Sequence, residues 1–326
     1  MKEKYIELAK EYAFPIQMQP WWLDAVSAAE NKGWDAVVVM SKSNEVQGAM
    51  VYHVVRKGFV RMVLMPMLTP SMGIWFNHRP TDDMYSRRRR ETEVLEHIAR
   101  EFDGKSFHYV DVLFSHTVTN LLPFSWYGFS LHTRYTFATT CHNDLQSLKE
   151  KIYTMKRRQI DKAHRTMSCR VNQLSAEQYY DMYSDVLRAK GVGGVIFGRD
   201  YFLGLASEAM QRNQAAIFSV HDADDIVASA LFCVWDSTSA YALSYWTTPE
   251  KLNSGSSALV MYEAMRCLSG RVALFDFEGS MDRGISNSYG MFATRQYQLC
   301  RVTKAYGFVG FLVRKMAEIK LALYNK

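Results

Sequence analysis

Residues 228–246 read ASALFCVWDSTSAYALSYW, and this stretch decides how the rest of the chain is parsed. Two apolar, β-prone runs, 226–236 and 240–246, flank the turn residues DSTS, which predicts an antiparallel pair with Asp236 at the turn. Upstream, residues 215–221 form another strand. Downstream come a helix over 256–268 and a strand over 273–277. The first half carries the same order. Strands over 35–40, 46–55 and 59–64 precede a helix over 83–102 and a strand over 108–114. Further helices are expected over 3–13, 20–29, 145–165, 176–188 and 199–211, and short strands over 130–138 and 170–174. The chain therefore reads as an α+β protein of two similar domains, 1–140 and 141–326. Each is a mixed, mostly antiparallel sheet flanked by helices.

Composition narrows the function. The 326 residues are 48% hydrophobic and 22% charged, as expected of a folded globular chain. No run approaches the roughly 20 apolar residues of a membrane helix. The first ten residues mix charges without an apolar core, so no signal peptide is read and a cytoplasmic location is expected. Five widely spaced cysteines form no CxxC pair, which favours free thiols and no metal site. Walker, GxGxxG, GxSxG and HExxH patterns are all missing. The net charge of +6 is local: residues 149–170 hold eight basic and two acidic side chains, and the remainder sums to zero. Arg87–Arg90 read as a solvated helix start.

Three segments carry a resemblance. Residues 151–163 (KIYTMKRRQIDKA) hold a Lys/Arg-rich helix, 228–246 a strand pair, and 275–293 (FDFEGSMDRGISNSYGMFA) a strand followed by a Gly/aromatic loop. In order and spacing they resemble the FemAB superfamily, including its BioF2-like acetyltransferase domains, whose fold is that of GNAT N-acyltransferases. The likeness covers most of residues 130–310. IQMQPWWLDAV and VLMPMLTPSMGIWF in the first half fit a degenerate partner domain. The resemblance implies tandem GNAT-like domains that move an acyl or aminoacyl group to an amine by direct attack. It implies acyl-CoA as co-substrate, no permanently bound cofactor, and a small-molecule or lipid-linked amine acceptor. A monomer is expected. One alternative is an aminoacyl-tRNA-dependent enzyme of cell-wall bridges; the lack of a long heptad segment leans against it. The other is a non-catalytic binding protein on the same fold.

Candidate residues follow. On the basic helix, Leu148, Ile152, Met155, Ile160 and Ala163 share a face at about 100° per residue. Lys156 falls inside that face, and its stem is expected to carry the ammonium past them into a cleft. Lys156 and Arg158 match the family's basic positions and suit a donor phosphate. Ser254, Gly255 and Ser256 lead into a helix N-terminus, where backbone amides favour phosphate. Only Gly255 of the usual Gly-rich pattern is present, which favours the binding-protein alternative. Asp276 and Glu278 alternate on a strand and so face one way. Glu278 is the candidate general base, Asp276 its companion. Tyr245, Trp246 and Ser280 are expected to line the substrate cleft.

Overall fold

The computed structural model describes residues 1–29, 32–141, 145–191, 193–279, 281–292 and 294–324. In chain order the elements are α1 (Lys2–Glu11), α2 (Pro20–Ala29), β1 (Gly33–Met40), β2 (Val46–Lys57), β3 (Val60–Leu64), β4 (Ile74–Phe76), α3 (Met84–Gly104), β5 (Tyr109–Phe114), α4 (Leu122–Trp126) and β6 (Ser130–Thr140). Then follow α5 (Leu145–Lys151), α6 (Thr154–His164), β7 (Ser168–Val171), α7 (Ala176–Ala189), α8 (Arg199–Gln211), β8 (Ala215–His221), β9 (Val227–Trp235) and β10 (Ser239–Thr247). The chain continues with α9 (Ser256–Leu268), β11 (Leu274–Asp276), α10 (Arg283–Gly290), β12 (Arg295–Ala305) and α11 (Gly307–Tyr324). No described helix is long and apolar enough to cross a membrane.

The chain forms two compact units, Met1–Arg134 with Gln298–Lys326, and Tyr135–Tyr297. A single cut at 140/141 does not describe this division. Residues 300–305 of β12 pair antiparallel with β5, which returns the C-terminal segment to the first unit.

In the first unit, β1, β2 and β3 form an antiparallel meander, and β5 pairs parallel to β3 after α3. One face packs on α3 through Val94, Leu95, Ile98 and Phe102; the other receives α1 and α2 through Tyr5, Leu8 and Leu23. Asp83 caps α3 by accepting from the Ser86 amide. Of the four arginines that follow, Arg87, Arg88 and Arg89 are exposed as expected, with Arg89 paired to Glu93, whereas Arg90 is largely buried against Asp82.

The second unit repeats the scheme. β8, β9 and β10 are antiparallel, and β11 runs parallel to β10 after α9. All nine residues of β9 are buried, as a central strand covered on both faces requires. One face packs on α6 and α9 through Ile160, Ala163, Leu259 and Met265. On the other, Tyr179 of α7 and Phe202 of α8 meet Phe232 and Trp246. A capping box of Ser175 and Gln178 starts α7.

Two readings change. The single helix expected over 145–165 is broken into α5 and α6, because the Tyr153 amide leaves the helix to donate to the Met291 carbonyl at 2.9 Å. The elements α10, β12 and α11 lie beyond the last strand read from the sequence.

Candidate active site

The parallel pair β10–β11 is short. Ser239–Tyr241 stand beside Leu274–Asp276, and there the pairing stops, while β10 continues against β9 as far as Thr247. A bulge between Ala242 and Ser244 falls where β10 loses this neighbour. The extra residue reverses the alternation. Ala240 and Ala242 face the α9 side, and beyond the bulge Tyr245 does so. The result is a wedge between two parallel strands, with β11's last residue at its apex.

That last residue is Asp276. It is buried, and its Oδ1 accepts from the Thr136 hydroxyl at 2.5 Å and from the Glu278 amide at 2.8 Å. Burial pushes its carboxyl above the usual carboxylate range, partly offset by these two donors. Phe277 and Phe275 point into the α6/α9 core and anchor the strand end.

Glu278 is not on the strand. Alternation therefore does not place it: its backbone turns into the left-handed region, with φ 58°, followed by Gly279 at φ 33°. A non-glycine residue there costs about 1–2 kcal/mol. The turn is enforced by a close approach, since a Cβ on Gly279 would fall 2.3 Å from the Tyr135 carbonyl oxygen. The half-buried Glu278 carboxyl is raised well above the ordinary range, first by burial and then by Asp276. Among the described residues neither acid has an ion-pair partner, although Arg283 and Arg295 are near in sequence.

Tyrosines complete the surroundings. Tyr241 stands opposite Asp276 in register. Burial, with Asp236, Asp276 and Glu278 beside it, holds its phenol protonated. Tyr245 and Tyr289 are hydrogen-bonded to each other, and Tyr289 also feels Glu278 and Asp276. Burial, and then Tyr245, raises the phenol of Tyr183 on α7. Tyr289 sits on α10, which Asp282 caps by accepting from the Ile285 amide at 2.9 Å. Tyr183 and Tyr289 were not singled out in the sequence; no local signal marks them, because they reach the site from separate helices.

The other expected site residues fall in three places. Trp246 is not on a cleft surface: it is 2% exposed and packs against Tyr179 on the opposite face, because the bulge gives Tyr245 the wedge side. Ser280 lies outside the described residues. Lys156 does not carry its ammonium out into a cleft. It is 6% exposed, and its Nζ donates to Ser288 Oγ at 3.0 Å and lies 5.0 Å from the Phe292 ring centre. Burial lowers its pKa. Arg158 is exposed on the outer side of α6.

The α9 entrance is built by close packing. Gly255 has φ 89°, and a Cβ there would meet the Gln159 carbonyl oxygen at 2.3 Å, so α6 and α9 touch backbone to backbone. Ser256 is fully buried, its hydroxyl 2.6 Å from that of Ser229, so its side chain is committed to the core. Ser254 Oγ accepts from the Ser256 amide at 3.1 Å. The amides of Ser257 and Ala258 have no intrahelical acceptor by helix geometry. Lys162, from α6, donates to the Asn253 carbonyl at 3.1 Å and brings an ammonium to this helix end. The arrangement offers amide donors, a helix dipole and one lysine, which suits a phosphate.

The first unit has no equivalent wedge at β3–β5. The segment following β3 folds back, the Met72 amide donates to the Leu113 carbonyl at 2.6 Å, and Met72 bridges to Phe114.

Residues 149–283 match the model of the Acetyltransferase (GNAT) domain. No curated protein matches the sequence. Among solved structures, FemX aligns with a TM-score of 0.69 at 11% identity, over 92% of this chain and 95% of that one. The C-terminal domain of a putative lysylphosphatidylglycerol synthetase from Agrobacterium fabrum aligns with a TM-score of 0.56 at 11% identity, over 97% and 96%. A tandem GNAT protein from the clavulanic acid biosynthesis pathway gives 0.52 at 12% identity, over 93% of each chain. The fold is that of tandem GNAT proteins, as the sequence segments implied.

Proposed function

We propose that the unit Tyr135–Tyr297 is an N-acyltransferase, and that the first unit is its degenerate partner. The observation that carries this reading is the wedge between β10 and β11, with at its apex two carboxyls that have no ion-pair partner among the described residues. The domain match and the fold support a transferase; the donor and acceptor rest on the site's chemistry.

In this reading the donor is an acyl-CoA. Its phosphates meet the Ser257 and Ala258 amides and Lys162 at the α9 N-terminus. The thioester lies in the wedge. A neutral amine attacks the carbonyl carbon, the C–N bond forms, the C–S bond breaks, and the sulfur leaves as thiolate. Glu278 takes the amine proton. Its raised pKa brings it nearer to that of the proton it must accept than an ordinary carboxylate. Asp276, held by Thr136 and the Glu278 amide, fixes the turn and raises the Glu278 carboxyl. Tyr245 and Tyr289 line the acceptor side.

The reading is tested by calorimetric titration with coenzyme A and by thiol release from acetyl-CoA with a panel of primary amines. Binding with amine-dependent release is expected. No binding of coenzyme A, or binding without release for any amine, would contradict it.

A further inference from the structure

The C-terminal helix presents a second surface unrelated to the wedge. Over its described side chains α11 packs through one side. Gly310 lies so close to the His108 carbonyl that a Cβ would fall 1.9 Å from its oxygen, and Val313 packs with Val55, Met62 and Tyr109. The opposite side is apolar and open. Phe308 is 74% exposed, Met316 70% and Ile319 60%, with Leu312 also exposed between them. Positions 308, 312, 316 and 319 recur at helical spacing, so they form one stripe, about 16 Å long at 1.5 Å per residue.

A further exposed apolar side chain lies on a hairpin beside the helix. Phe59, at the β2–β3 turn, is 75% exposed, and its ring meets that of His108 edge-on, centres 6.0 Å apart. His108 also accepts at its carbonyl from the Tyr306 amide, next to the start of α11. Hairpin tip and helix start thus flank one residue. The rim is basic. Arg56 and Lys57 are exposed on the hairpin, and Arg314 and Lys315 lie 5.4 and 5.9 Å from the Phe311 ring centre. Glu318, bridged to Lys315 at 2.7 Å, is the acid on this helix.

We infer that the α11 stripe and Phe59 form a docking face for the surface of an anionic lipid bilayer. Apolar side chains reach the acyl boundary while the basic rim meets the headgroups. A second copy of this chain fits less well, because a two-fold pairing of this face sets one basic rim against its twin. With no described helix able to cross a bilayer, the contact is a surface one.

The test is co-sedimentation of the full chain with phosphatidylcholine vesicles, with and without phosphatidylglycerol. Binding to the anionic vesicles alone is expected. Lys57→Ala should weaken it about fivefold. The triple variant Phe59→Ser, Phe308→Ser, Met316→Ser should abolish it with the circular dichroism spectrum unchanged; if that variant misfolds, Lys57→Ala decides. No sedimentation with anionic vesicles, or binding untouched by Lys57→Ala or by a folded triple variant, overturns the inference. So does a solution dimer that the triple variant dissociates, which assigns the face to a second copy.

Discussion

The acid pair Asp276–Glu278 and the buried Lys156 respond to pH in opposite ways. Glu278 and Asp276 each raise the cost of ionising the other. Asp276→Asn should therefore lower the Glu278 pKa and move the rising limb of the pH–rate profile to lower pH. Glu278→Gln should raise stability to urea, and by more as pH rises above the ordinary glutamate value of about 4.3. The sign follows from the raised folded pKa: the native state holds its proton longer, so stability is lost through ionisation that Gln does not undergo. Among the described residues, Lys156 is a buried ammonium held by one hydroxyl, that of Ser288. Its folded pKa is depressed, so the unfolded chain binds more protons and native stability rises with pH towards the ordinary lysine value of about 10.4. Lys156→Met should be more stable than the native chain at neutral pH and should lose that advantage in alkali, as read by thermal unfolding. The acid pair was legible in the sequence because two carboxylates among phenylalanines are out of place in a plain core strand. Its geometry was not, since a left-handed turn at Glu278 is set by the tertiary approach of Gly279 to Tyr135.

At the scale of elements, contact between α6 and α9 depends on one missing side chain. Gly255→Ala should destabilise the protein by about 2–4 kcal/mol, from a left-handed backbone and a Cβ inside the reach of Gln159, measured by urea titration. The strands around the wedge were readable because β9 is apolar or small throughout and β10 follows a turn rich in Asp, Ser and Thr. The split between α5 and α6 was not, since no Gly or Pro marks it and the cause is a bond from Tyr153 to Met291. β12 escaped notice because its sequence, RQYQLCRVTKA, is mostly polar and only Val302 and Thr303 are buried. Trp246 was misplaced by a bulge that the alternation of β10 does not announce.

For the whole molecule, two similar units are expected to do unequal work. The β3–β5 position in the first unit is occupied by the chain itself, through Met72, whereas β10 and β11 part freely. Calorimetry should therefore give one coenzyme A per chain, and two would mean that the Met72 segment moves aside. The repeated order of strands, helix and strand made the tandem fold legible; nothing in MPMLTPSMG marks that it folds back beside β5. The most direct test of the site is the pH dependence of kcat/KM for amine-dependent thiol release in the native chain and in Glu278→Gln. A rate about 10²–10⁴-fold lower is expected in the variant, with the rising limb gone and coenzyme A binding retained. An unchanged limb and an unchanged rate in Glu278→Gln would contradict it.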